Sequence, residues 1–206
     1  TINIESGHLV SEGFLKASAG SQGDLGQINL VTTQDMNIVD DADDIAWDPS
    51  DLGSPLCDKS QISTGTSLAY VDANLLLETD GVLTFHTDLD RNPGNNLRRV
   101  KGDLKISGNR IELANDGLTS ISADGNVVAI GDFEKSVGID TGLQLEAGRS
   151  MNIQGNIGND DPLNSVTLAA GDFIAIGKPD DLMASGVIRA TGDIRFNPDG
   201  NTWLEN

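Results

Sequence analysis

Carboxylates are the side chains here whose clustering suggests chemistry. They come as adjacent pairs: Asp40-Asp41, Asp43-Asp44, Asp160-Asp161 and Asp180-Asp181. Two stretches, 40–51 and 88–96, are rich enough in oxygen to wrap a hard cation. Ca2+ collects several oxygens from carboxylates and amide carbonyls, which makes Asp40, Asp41, Asp43, Asp44, Asp88 and Asp90 the candidate ligands. Carbohydrate-cleaving β-structures use the same residue type, with carboxylates on one outer face as acid, base or metal ligand. A lyase also wants a basic group beside its acids, and Arg91, Arg98 and Arg99 lie next to the second stretch. The plainer reading is a solvated acidic corner on an acidic protein, and it takes precedence.

No other catalytic arrangement emerges. His8 and His86 are far apart and have no partners at ligand spacing. The chain has no Gly-x-Ser-x-Gly elbow, no His-Glu-x-x-His, no P-loop and no dinucleotide-binding glycine motif after a strand. It also lacks an EF-hand loop and a Gly-Gly-x-Gly-x-Asp repeat. The expectation is therefore a protein that is not an enzyme and needs no organic cofactor, with Ca2+ as the one ion its loops would suit.

Composition narrows the partners. The chain of 206 residues carries 32 acidic and 13 basic side chains, a net charge of −19. Nucleic acid and anionic membrane surfaces both need a positive face, so neither is expected as a partner. No run approaches the roughly 18 apolar residues of a membrane helix, so membrane insertion is not expected. Cys57 is the single cysteine, which excludes an intrachain disulfide and a cysteine metal site. The chain opens on Thr1 rather than Met, which suggests a processed polypeptide and export. Hydrophobic residues make up 37% and aromatics 4%, lean for a globular enzyme but enough for a narrow coil that buries only its inward side chains. The 24 glycines suit a fold with many corners.

The elements that would carry those loops are short strands in a repeat. Leu143-Gln144-Leu145-Glu146-Ala147-Gly148, Val166-Thr167-Leu168-Ala169-Ala170-Gly171 and Val187-Ile188-Arg189-Ala190-Thr191-Gly192 repeat one phrase. A second alternation follows each glycine, at Met151-Asn152-Ile153, Ile174-Ala175-Ile176 and Ile194-Arg195-Phe196. The three glycines stand 23 and 21 residues apart. Strict alternation places one apolar set inward, and a repeat of roughly 20 residues with two strands signals a solenoid coil. Val137-Gly138-Ile139, Ile157 and Met183 are read as a third short face. No window sustains a helical period. The fold class expected is all-β: a right-handed parallel β-helix with coils of about 20 residues and loop insertions in the N-terminal half.

One domain spans 1–206. Residues 1–99 form irregular, loop-bearing coils, 100–196 regular ones, and 197–206 a cap or joining tail. The stretch 40–66 loops off the coil, pinned by Trp47, Leu56 and Ile62, and 88–99 makes a second polar excursion.

The phrases LQLEAGRSMNIQGNI, VTLAAGDFIAIG and VIRATGDIRF resemble the repeats of filamentous-haemagglutinin-type adhesins and related bacterial β-strand-repeat surface proteins. Leu143, Leu145, Ala147, Gly148, Ile153 and Gly155 occupy that family's pattern, as do Val166, Leu168, Ala170, Gly171, Ile174, Ile176 and Gly177. Gly155-Asn156-Ile157-Gly158-Asn159 leading into Pro162-Leu163 also looks like the joints of such repeats. The resemblance covers 100–196 well and fades before residue 66. It implies a right-handed parallel β-helix, secretion, and adhesion or extracellular fibre formation, and it brings no catalytic residues.

The expected function is a non-enzymatic structural or adhesive β-solenoid at the cell surface or outside the cell. It would be an adhesin segment or a subunit stacking end to end into a fibre. Partners would be further copies through the coil ends, and a host or cell-surface glycan. Ile2 and Ile4 near the start, and Trp203 and Leu204 near the end, are the candidate joining residues. The alternative is a polysaccharide-binding or polysaccharide-cleaving β-helix using the 40–66 and 88–99 loops.

Overall fold

The computed structural model describes residues 1–7, 9–11, 15–17, 25–40, 60–64, 68, 71–90, 100–177, 187–198 and 201–204. Among them there is no helix, so none that could cross a membrane. The strands in chain order are β1 (Ile2–Ser6), β2 (Val10–Ser11), β3 (Gly26–Thr32), β4 (Met36–Val39), β5 (Ser60–Ser63), β6 (Ala73–Thr79), β7 (Val82–Phe85) and β8 (Leu104–Leu113). They continue as β9 (Gly117–Ala123), β10 (Val127–Lys135), β11 (Thr141–Ala147), β12 (Met151–Gln154), β13 (Val166–Ala170), β14 (Phe173–Ile176), β15 (Ile194–Pro198) and β16 (Asn201–Leu204). Pairing is parallel throughout, and the strands stack as a β-solenoid of about 6 turns, about 24 residues apart. That repeat agrees with the coils read from the phrase spacing, whose glycines stand 23 and 21 residues apart.

Alternation in sequence becomes columns in space. On the first face Ile2, Ile28, Leu75, Leu104, Val127, Met151 and Ile174 lie one above another. Two residues along, Ile4, Leu30, Leu77, Ile106, Ala129, Ile153 and Ile176 form a second column. From Ile28 and Leu30 onward these side chains are buried, and Ile2 and Ile4 pack against them half-buried. The second face stacks Met36, Leu83, Ile111, Phe133, Ile157 and Ile188. The third face is β9, β11, β13 and β15, extended beyond β9 by the bridges Leu89–Ile121, Val100–Ala123 and Val71–Val100. Burying one such aliphatic side chain contributes about 1.5–3 kcal/mol, and neighbouring rungs bury one another.

Three local features depart from the expected layout. Val137-Gly138 is a turn with Val137 fully exposed, not a third strand; Ile157 does take the second face, bridging Phe133 and Ile188. Asp88-Leu89-Asp90, inside the expected 88–99 excursion, belongs to the third face, since Leu89 bridges Ile121; residues 91–99 lie outside the described ones. Ser60–Ser63, inside the expected 40–66 insertion, forms β5, with Ile62 fully buried. Met183, Trp47 and Leu56 lie outside the described residues.

The position of β5 shapes the ends. It sits between β2 and β4, so the chain steps backward along the stack there. Among the described residues the rungs of the first face are β1, β3, β6, β8, β10, β12, β14 and β16. Those of the second face are β2, β5, β4, β7, the later halves of β8 and β10, then Ile157 and Ile188. The two sets are offset by one. On the second face two rungs, β5 and β2, precede the level of β3 and β4, against one rung, β1, on the first. Past β14 the described part of the first face continues with β16, and that of the second face reaches Ile188.

Candidate functional site

The acidic residues singled out by sequence bond to the chain itself. Asp88 Oδ1 accepts the backbone N–H of Ser120 at 2.8 Å and the Asn115 side-chain amide at 3.3 Å. Asp90 accepts the Ser120 hydroxyl on one oxygen at 2.5 Å and the Ser122 hydroxyl on the other at 2.6 Å. Both carboxylates thus border β9 and finish its edge, because register sets Leu89 beside Ile121. Asp40 is exposed and its backbone carbonyl accepts the Ser63 hydroxyl at 3.1 Å. Asp41, Asp43, Asp44, Asp180, Asp181, His8, Cys57, Arg91, Arg98 and Arg99 lie outside the described residues. Among the described residues no group of three or more His, Cys, Asp or Glu side chains is arranged to hold a metal ion. His86 faces the side-chain oxygen of Asn37 at 3.1 Å.

The pair Asp160-Asp161 caps a corner. Glu134 is 4% exposed, and its two carboxylate oxygens accept the backbone N–H groups of Asp160 and Asp161, each at 3.2 Å. Lys135 Nζ lies 3.4 Å from Asp161, and Arg189 donates to the carbonyl of Asn159 at 3.2 Å. The loop is held from the rung on either side of it.

Other functional side chains escaped the sequence reading: a ladder of Asp and Asn at the corner entering the first face. Asn74 Oδ1 accepts the N–H of Asp103 at 2.8 Å, Asp103 Oδ1 that of Asn126 at 2.8 Å, and Asn126 Oδ1 that of Ser150 at 3.2 Å. Glycine precedes the cap for a steric reason. A Cβ at Gly102 would overlap Asn74 Oδ1, and one at Gly125 would overlap Asp103 Oδ1. A similar chain at the next corner joins Asp132 to Asn156 at 2.8 Å and Asn156 to Val187 at 3.0 Å. There Gly131, at φ 126°, lets β10 run round the corner between Ile130 and Asp132. The signal was present as glycine followed by Asp or Asn at 102–103, 125–126, 131–132 and 155–156.

Among the described residues β1 pairs with β3, and β16 with β14. Apolar columns reach both ends half-covered: Ile2, Ile4, Leu9 and Leu15 at one, Ile188, Ala190 and Phe196 at the other, with Ile194 42% exposed. Register places Trp203 beside Ala175 and Leu204 beside Ile176. Of the four residues expected to join subunits, Ile2 and Ile4 stand on β1, and Trp203 and Leu204 on β16. Comparison of the chain with protein families, with curated proteins and with solved structures finds no match to any of them.

Proposed function

We propose that this chain is a non-enzymatic structural or adhesive β-solenoid that works at the cell surface or outside the cell, of the filamentous-haemagglutinin type its repeats resemble. The observation that carries this reading is where the polar side chains spend their hydrogen-bonding capacity. Asp88, Asp90, Asp103, Asp132 and Glu134 hold backbone or hydroxyl donors of neighbouring rungs. They stiffen a rod rather than line a cleft. A solenoid with a polar exterior offers long flat faces to a glycan or a cell surface.

The test is a panel of acidic and neutral polysaccharides, with and without Ca2+, read for both binding and chain cleavage. Binding to a surface glycan without release of new chain ends is the expected result. Cleavage of any member of the panel would overturn the reading in favour of a polysaccharide-cleaving β-helix.

A further inference from the structure

We propose that the outer surface of the first face is a self-association surface, on which a second copy of the chain lies side by side, sheet against sheet. Two columns of side chains point outward there. Asn29, Leu76, Lys105, Val128, Asn152 and Ala175 form one, and Val31, Glu78, Ser107, Ile130 and Gln154 the next. All are half-buried. The matching column of the second face is Asn37, Thr84, Glu112 and Glu134, and that of the third is Ser120, Gln144, Thr167 and Arg195. Neither of those columns holds a large aliphatic side chain, whereas the first face has Val31, Leu76, Val128 and Ile130. Lys105 does not divide them. It stands between Leu76 and Val128, its ammonium reaches Glu78 at 3.4 Å, and its methylene stem covers the rung it occupies. Phe173, 41% exposed, takes the place after Ser150 in the cap ladder, so an aromatic ring borders the same surface where a further cap would stand.

Charge, spacing and area name a second copy as the occupant. The chain carries a net charge of −19, yet the two columns hold one acid and one base, already paired with each other. Two copies meeting here bring together the surface that repels its own kind least. Sheets pack face to face about 10 Å apart, with side chains interdigitating and strands within about 30° of alignment. A second solenoid offers the same strand spacing, so its rows of side chains stay in step with these over the whole length. The patch runs over β3, β6, β8, β10, β12 and β14. Rungs about 4.8 Å apart, and outward positions about 6.8 Å apart along each strand, give it roughly 600 Å² per copy. The pair would bury about 1,200 Å², the lower bound of a specific, stable interface. Both copies use one patch, so the contact is isologous and closes at two.

The test is sedimentation velocity over a concentration series, at roughly 0.5 M salt to screen the overall repulsion. The unaltered chain is expected to form a reversible dimer. Val128→Glu with Ile130→Glu places unpaired charges on the patch, twice over in a symmetric pair, and should weaken the dimer by at least about tenfold. Gln144→Glu with Thr167→Glu adds the same charge to the third face and should leave it intact. Should the first variant lose its strand content by circular dichroism, Val128→Thr with Ile130→Thr keeps the β preference while removing apolar area, and should weaken the dimer in the same direction. A chain that stays monomeric at about 1 mM, far above the Kd range of specific complexes, overturns the proposal. So does equal weakening by the substitutions on the first and third faces. A monomer that loses binding to a member of the polysaccharide panel when Val128 and Ile130 are replaced would assign the face to a glycan instead. None of these outcomes touches the non-enzymatic reading, which falls only if the panel is cleaved.

Discussion

Asp103 and Asn126 stand one coil apart, and one carboxylate oxygen of Asp103 accepts both the backbone N–H of Asn126, at 2.8 Å, and its side-chain amide, at 3.0 Å. Asn126 passes the arrangement on by accepting the N–H of Ser150. Each coil is thus hydrogen-bonded to the next by a side chain as well as by its strands. Asp103→Ala should lower stability by about 1 kcal/mol, the net worth of a typical intramolecular hydrogen bond. Asp103→Asn should cost less, since an amide oxygen accepts the same bonds. Urea midpoints at unchanged slope would read both.

Gly125→Ala should cost more, about 1–3 kcal/mol, as overpacking does. Its new methyl group would meet the Asp103 carboxylate and the backbone of Gly102. Adding Asp103→Ala removes the first contact and leaves the second. The double variant should therefore be more stable than the sum of the two single losses implies, measured as a double-mutant cycle.

Glu134 predicts a local effect. Glu134→Ala strips the acceptors from the amides of Asp160 and Asp161. Hydrogen exchange at those two amides should speed up by about tenfold, the equivalent of roughly 1.4 kcal/mol of local opening. The amides of β12 should keep their protection. A uniform rise along the chain would mean that Glu134 supports the whole stack instead.

Ca2+ gives a sharper test of the acidic stretch at 88–90. A ligand that binds only the folded chain raises its melting temperature with concentration. With Asp90 spent on Ser120 and Ser122, millimolar Ca2+ should leave the melting temperature unmoved. A rise that disappears in Asp90→Ala would establish a cation site at this edge.

A fully buried leucine of the regular half should be costly to remove. Leu145 lies between Ile121 and Leu168, and all three are fully buried. Leu145→Ala should destabilise by about 2–5 kcal/mol, because rungs fixed at strand spacing cannot collapse into the gap. Thermal or urea unfolding would measure it.

The coil was legible where its signal is local. Leu143 and Leu145 alternate with Gln144 and Glu146, and that period alone assigns an inward face. Val137 and Ile139 show the same alternation across Gly138, yet they form a turn. Three residues do not distinguish a strand from a loop, and Gly138 at φ 81° closes that turn. The place of β5 was not legible, because nothing in Ser60–Ser63 says which neighbour it will pair with. Asp88 and Asp90 were visible as acids, but their partners are set by the Leu89–Ile121 register, a contact 32 residues long in sequence. The caps were visible only as glycine followed by Asp or Asn. That pair reads as an ordinary turn until the coil above it is in place.

The parallel stacking of rungs has a consequence for diffraction. Strands paired in parallel along the axis repeat about every 4.8 Å, whereas the chain advances about 24 residues from one turn to the next. Material aligned along the axis would therefore scatter strongly on the meridian at the strand spacing, and the sharpness of that reflection would report how evenly the corners let the rungs follow one another.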